Sequence, residues 1–411
     1  MFQATVKGER AEVVWVNRHG DGGRSIRIGT STDDVRRRNL SGVLTLVHRN
    51  RALSRADITR RTGLSRSTTK DLVEELVTHG LVEESLASAA PQVGRPSAIV
   101  RPTNRILCVA ANPDVDGITL GLVGMGGMVL NMSRYPTAGA ASAQETVSIA
   151  ASAISRMRQH LSVDQQLIGI GVAVPGLVRA SDSTVRLAPH LEWHDEEIGQ
   201  LLSAATGLPV SAANDANAGA IAEHIFGDHL NADHMIYVNG GAGGIGAGFV
   251  VGGTLLEGAA GYAGELGHTY VGGMANCHCG STGCLETEVN QLQLPEISEY
   301  VDDAPRRDSS TPQAPPSAAV IATFERQARY LGIALGNSIN MLNPELVVLG
   351  GFLRGIPEQA GQVLRNEVAR HSMRSPLDLV RIVPASLGSR TLMIGAAERA
   401  FASLLADPAP A

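Results

Sequence analysis

Cysteine is nearly missing from this chain of 411 residues: there are four. Aromatic residues reach only 3%. No apolar run approaches the roughly 18 residues of a membrane-crossing helix. The opening stretch, MFQATVKGERAEVVWV, has neither the apolar core nor the small-residue cleavage site of a signal peptide. The expectation is therefore a cytoplasmic protein with no membrane partner. Thiols there stay reduced, which disfavours disulfides and favours metal binding for any cysteine cluster. Three of the four cysteines form such a cluster: Cys277, Cys279 and Cys284 lie within "NCHCGSTGCLE".

Glycine and alanine are plentiful, as in α/β folds with many tight turns. The length allows two or three domains. The net charge of −6 is unevenly spread. Residues 1–105 carry +7 and the remainder −13. A basic head on an acidic body suggests that the head alone meets a polyanion.

Within the head, residues 1–32 lack periodicity and read as disordered. The stretch from 33 to 102 reads as a winged helix-turn-helix domain. Val35, Leu40, Val43, Leu44 and Val47 recur at helical spacing. A short second helix starts from Ser54 as N-cap, with Ile58 facing inward, and Gly63 makes the turn. A third helix is capped by Ser65, buries Leu72, Val73, Leu76 and Val77, and ends at Gly80. Its N-terminal residues are polar or basic: Ser65, Arg66, Ser67, Thr69 and Lys70 are the candidates for the major groove. The following "GRPS" reads as a wing tip, with Arg95 suited to the minor groove.

From residue 105 to 411 short apolar strands alternate with helices and Gly-rich turns, the pattern of a two-lobed α/β domain. Gly241-Ala242-Gly243-Gly244-Ile245-Gly246 matches a dinucleotide fingerprint. A β-branched strand follows it rather than a helix, so a Rossmann site is rejected.

The motifs "NDANAGAIAE", "GIGAGFVVGG", "GYAGELGH", "CHCGSTGCLE" and "LNPELVVLGG", in this order, resemble the ROK family of sugar kinases and sugar-responsive repressors. The helix-turn-helix and "GRPS" extend the resemblance to its NagC/XylR-type repressor branch. It implies an actin-like, hexokinase-type fold with a sugar cleft between two lobes, and a homodimer or dimer of dimers. It also supplies the fourth ligand of a structural zinc site over 268–286: His268 with Cys277, Cys279 and Cys284. A closed Cys3His set leaves no position for catalytic water. His278, between two ligating cysteines, is expected to point away. The resemblance further implies that Asn214, Asp215, Glu265, His268 and Glu286 contact the sugar.

Asp215 stands where the family's kinases place their general base. The phosphate-binding turn departs, however: Asn112-Pro113-Asp114-Val115-Asp116 replaces Asp-x-Gly-Gly-Thr. Pro113 has no N–H to offer, and two carboxylates would face a triphosphate at a cost of about 4 kcal/mol each. Ala242-Gly243-Gly244 lacks the hydroxyl of the second phosphate loop. His190 replaces the asparagine often found before Trp193. The expectation is thus a sugar- or sugar-phosphate-responsive repressor bound to operator DNA and nucleoid-associated, with zinc as structural cofactor and no catalytic residue. The alternatives are an active sugar kinase and a regulator switched by a protein partner. The Pro/Ser-rich stretch 302–317 is expected to be a mobile loop.

Overall fold

The computed structural model describes residues 32–85, 98–229, 232–291 and 317–408. The N-terminal segment to residue 31 and the wing tip with Arg95 lie outside them. Of the stretch 302–317 only Ser317 is described, and it caps a long helix.

The head packs α1 (Thr32–Asn50), α2 (Arg55–Thr62) and α3 (Arg66–Thr78) around Leu40, Val43, Leu44, Val47, Ile58, Leu72, Val73 and Leu76, all essentially inaccessible. Local chemistry sets the boundaries. The Ser54 hydroxyl accepts from the Asp57 N–H, and Gly63 ends α2 at φ 70°. The Ser65 hydroxyl accepts from the Thr68 N–H to start α3. Such caps each contribute about 1 kcal/mol. Val35 and Val77 depart from the expected apolar stripe and are 46% and 39% exposed. Both lie at the margin of their helix's inner face, where the small head offers no further layer to cover them. Strands β1 (Leu53–Ser54), β2 (Val82–Ser85) and β3 (Ile99–Pro102) form the antiparallel base of the wing, in the order β1-β3-β2.

The first body lobe is a five-stranded sheet. Its strands are β4 (Ile106–Asp114), β5 (Gly117–Gly124), β6 (Met128–Pro136), β7 (Gln166–Val174) and β11 (Val210–Asn214), in the order β11-β7-β4-β5-β6. Helices α4 (Ala143–Gln159) and α5 (Ile198–Thr206) pack together beside it. A small antiparallel sheet of β8 (Leu177–Arg179), β9 (Thr184–Ala188) and β10 (Trp193–Glu196) projects from this lobe.

The second lobe repeats the plan. Strands β12 (Met235–Gly241), β13 (Gly244–Val251), β14 (Thr254–Leu255), β15 (Leu346–Gly351) and β16 (Arg381–Pro384) run in the order β14-β13-β12-β15-β16. The short α7 (Leu285–Glu288), α8 (Ala318–Leu342), α9 (Ile356–His371) and α10 (Arg374–Leu379) belong to this lobe. Between the lobes lie α6 (Asp215–Phe226) and the final α11 (Thr391–Ala406), packed on each other. Small residues make that contact: a Cβ on Gly395 would lie 1.9 Å from the Ala218 carbonyl oxygen, inside van der Waals contact.

Candidate functional site

In "SAANDANAGA" strand passes directly into helix: β11 ends at Asn214 and α6 begins at Asp215. The Asn214 side-chain oxygen accepts from the Asn217 N–H at 3.1 Å, and its amide donates to the Gly176 carbonyl at 3.0 Å. One amide hydrogen and one lone pair remain for a ligand. Asp215 accepts from the Ala216 N–H at 2.8 Å and from the Asn239 amide at 3.0 Å. Burial pushes its carboxyl up to about 7; these two donors oppose the shift, and Asp114 and Glu265 add to it.

These residues floor an interlobe cleft that Glu265, His268, Glu286, His190, His278 and Asp114 also line. The cleft thus brings together all five residues assigned to sugar contact. Glu265 reaches it from a turn that only glycine permits. Gly264 sits at φ 110°, and a Cβ there would be 2.0 Å from the Ala247 carbonyl oxygen. Burial raises the Glu265 carboxyl as well. Asn239, which orients Asp215 and accepts from the Tyr237 hydroxyl at 3.2 Å, was missed in the sequence. Nothing in "YVNGG" marks it before the strands are paired.

The phosphate turn needs one correction. Asp114 lines the cleft, but Asp116 turns outward and pairs with Arg134. The reason is the hairpin: β4 runs to Asp114, β5 resumes at Gly117, and Asp116 occupies the solvent-facing turn between them. Only one carboxylate therefore opposes an anion there. Asn112 donates to the Ala173 carbonyl at 2.8 Å, tying β4 to β7.

Beside the cleft, the ligand atoms of His268, Cys277, Cys279 and Cys284 lie within 4.8 Å of one another. Cys279 Sγ and Cys284 Sγ are 3.7 Å apart, and Cys277 Sγ is 3.6 Å from His268 Nδ1. A zinc tetrahedron has S···S edges of about 3.8 Å and S···N edges of about 3.5 Å, from bond lengths of ~2.3 and ~2.0 Å. The spacing and the donor chemistry both fit. His268 Nε2 faces the other way, 3.9 Å from Glu265. The Ser281 N–H draws the exposed Cys279 thiol down to about 7, in the range where a thiolate forms readily. Glu286 lies at the seam, with its Oε1 accepting from Cys277 Sγ at 3.1 Å and 3.2 Å from His278 Nδ1. His278 does not simply point away. It stays 3.9 Å from Cys277 Sγ while its ring turns into the cleft, edge-on to His190 and His268. The alternation Cys-His-Cys in a tight turn sends the middle side chain to the cleft face. A second overlapping set, His268, Cys277, His278 and Glu286, also converges within 4.8 Å.

In the head, Ser65, Arg66, Ser67 and Lys70 are exposed on α3. Thr69 is not: it is 1% exposed, and its hydroxyl accepts from Thr59 at 3.0 Å, joining α2 to α3. It faces the core because position 69 lies three residues before Leu72 and four before Val73. Ser65 serves as the cap, and Lys70 lies 3.7 Å from Glu74.

Head and body share a seam. Phe226, the last residue of α6, meets the ring of His48 on α1 at 5.4 Å, and the Arg51 guanidinium lies 5.3 Å above it. His48 Nδ1 accepts from the Gly126 N–H at 3.0 Å. Its Nε2 therefore carries the proton and donates to Glu398 on α11 at 2.9 Å. Both side chains are buried.

The ROK family model matches residues 114–402. The chain belongs to the ROK family. An IclR helix-turn-helix model also matches residues 43–85 of this ROK protein. It is 28% identical to a putative xylose repressor of Caldicellulosiruptor sp. (strain Rt8B.4), over 89% of this chain and 96% of that protein. It is 33% identical to a glucokinase of Halalkalibacterium halodurans, over 55% of this chain and 72% of that one. In fold it is similar to a ROK family transcriptional regulator described as a homologue of the E. coli MLC protein. The TM-score is 0.71 at 24% identity, covering 90% of this chain and 97% of that one. No helix among the described residues is long and apolar enough to cross a membrane.

Proposed function

We propose that this ROK protein is a sugar-responsive transcriptional repressor of the cytoplasm, dimeric on a pseudo-palindromic operator. One observation carries the reading. Asp215, at the floor of the cleft, begins the same helix whose last residue, Phe226, packs on the DNA-binding head. A 12-residue helix is about 18 Å long. It links the two sites as one rigid element. A kinase has no use for that link; a sensor does.

In this reading Arg66, Ser67 and Lys70 face the major groove, with Ser65 capping the helix they stand on and Arg95 in the adjacent minor groove. Sugar hydroxyls donate to Asp215, Glu265 and Glu286, and Asn214 offers its remaining donor and acceptor. His268 binds zinc through Nδ1 and presents Nε2 to the sugar. Cys277, Cys279, Cys284 and His268 would hold a structural zinc, whose closed set would tie them into one unit and keep Glu286 in place. Closing the lobes on sugar displaces α6 against α11, and the His48–Phe226–Glu398 seam passes the shift to α1. The ligand shifts the equilibrium only by binding one lobe arrangement better than the other.

Asp215 alone does not make a kinase. The turn that would hold phosphates offers Asp114, a prolyl nitrogen and an asparagine already bonded to β7. The test is an operator selection with the purified full-length chain, followed by a saccharide screen against the selected DNA. A saccharide that changes operator affinity supports the reading. ADP release stimulated by a sugar in a coupled assay would establish the kinase alternative. Operator binding that no saccharide alters would favour a protein partner as the switch.

A further inference from the structure

The cleft opens into a second chamber of 670 Å3. Gly176, Pro189, Glu265, His268 and His278 line both spaces, so the two are continuous. The inner space measures only 100 Å3. Its polar groups are those proposed above to contact one sugar ring; they do not account for the larger chamber outside it. Clefts that bury drug-sized ligands measure roughly 300–1,000 Å3. The outer chamber falls inside that range by itself.

Its floor is organised by strand register. Leu187 on β9 pairs with Leu177 on β8 on one side and with His194 on β10 on the other. Cross-strand partners share a face of the sheet. The three side chains therefore form one row, two leucines ending in an imidazole, and all three line the chamber. The opposite face of the same sheet holds Trp193, which is buried and donates to the Ala141 carbonyl at 2.9 Å. The row is thus fixed from below. At its rim Glu192 adopts φ 58° and ψ 28°. A left-handed conformation is uncommon for a residue that is not glycine, asparagine or aspartate. An apolar strip ending in an imidazole matches a pyranose, which has C–H faces and hydroxyl edges.

Charge narrows the ligand further. Among the described residues no lysine or arginine lines either space, while Asp114, Asp215, Glu192, Glu265 and Glu286 do. A phosphorylated sugar would meet like charge without an arginine or lysine to pair it. In the inner cleft, His190 Nε2 is buried without a hydrogen-bond partner among the described residues. A neutral hydroxyl satisfies it as either donor or acceptor.

We infer that the effector is a neutral glycoside of at least two rings, one in the inner cleft and the second on the Leu177–Leu187–His194 platform. This inference rests on the sugar-sensing reading above and narrows it.

The test is calorimetric titration of the full-length protein with glucose, xylose, maltose, cellobiose, xylobiose and glucose 6-phosphate, in wild type and in Leu187→Ala and Leu177→Ala. At least one disaccharide binds about tenfold tighter than its constituent monosaccharide. Each leucine variant removes most of that advantage while leaving monosaccharide and operator affinity unchanged. A monosaccharide or glucose 6-phosphate that binds as tightly as the best disaccharide overturns the inference and leaves sugar sensing intact. Unchanged disaccharide affinity in both variants overturns it as well. The wild-type titrations decide the matter even where a variant fails to fold. If none of the six binds, the sugar-sensing reading falls and this inference with it.

Discussion

Raising the pH from 6 to 8 should tighten effector binding, and Asp215 is the reason. Its carboxyl titrates at about 7 rather than 3.8 because burial disfavours the charge more than the Ala216 and Asn239 donors stabilise it. A sugar hydroxyl donates to the ionised carboxylate. At one unit below the titration point about a tenth of the sites are ionised, and at one unit above about nine-tenths, so affinity rises by up to about tenfold, or about 1.4 kcal/mol. Stability of the ligand-free protein moves oppositely. A carboxyl whose folded value exceeds its unfolded value binds more protons in the folded state between about 4 and 7. Its contribution is therefore present at low pH and lost as pH rises through that window. Other ionisable side chains line the same cleft, so Asp215→Asn is the necessary control. The variant should lose the pH dependence of sugar affinity and gain stability at pH 8 relative to wild type. Calorimetric titration at five pH values, with thermal denaturation alongside, measures both. Affinity that is flat in wild type, or equally pH-dependent in Asp215→Asn, would refute the reasoning.

Arg66→Ala and Lys70→Ala should each weaken operator binding by about 1–3 kcal/mol and leave melting unchanged. Thr69→Val should instead lower the stability of the head, because the Thr59 hydroxyl loses its buried acceptor; gel-shift titration and denaturation separate the two classes. Glu398→Ala leaves the His48 N–H buried without an acceptor and should destabilise the seam by about 2–3 kcal/mol. It should also reduce the sugar's effect on operator affinity without altering sugar binding; an unaltered response would remove the seam from the mechanism. Elemental analysis should find one zinc per chain. Cys279→Ser should reduce that content and the sugar affinity together, while the Val271–Gly283 and Leu285–Thr269 backbone bonds keep the loop folded.

Much of the molecule was legible because it depends on near neighbours. Ser54, Gly63 and Ser65 mark helix ends through bonds spanning three or four residues. The cysteine cluster is legible for a similar reason, since three thiols fall in eight residues; His268, nine before the first of them, is added to the set by the family resemblance. The same logic misplaced residues whose environment comes from elsewhere in the chain. Thr69 looks like a groove-facing residue until α2 supplies Thr59. Asp116 looks like a phosphate-repelling carboxylate until the β4–β5 turn points it at Arg134. His48 and Glu398 stand 350 residues apart, and no periodicity in either segment couples them.

The sequence alone therefore determined the parts: a basic helix-turn-helix, glycine-rich lobes, a thiolate cluster and an acidic set for a sugar. The first three rest on local spacing, which survives in one dimension; the acidic set is assigned to a sugar only through the family resemblance. Only the tertiary structure decided how the parts are joined. It runs one helix from Asp215 to the head, and lays Leu177, Leu187 and His194 in a row that three strands must pair to create. It also gathers five carboxylates around a cleft that no single segment contains. Those features are products of chain crossings between lobes, where burial and register are set by residues far away in sequence.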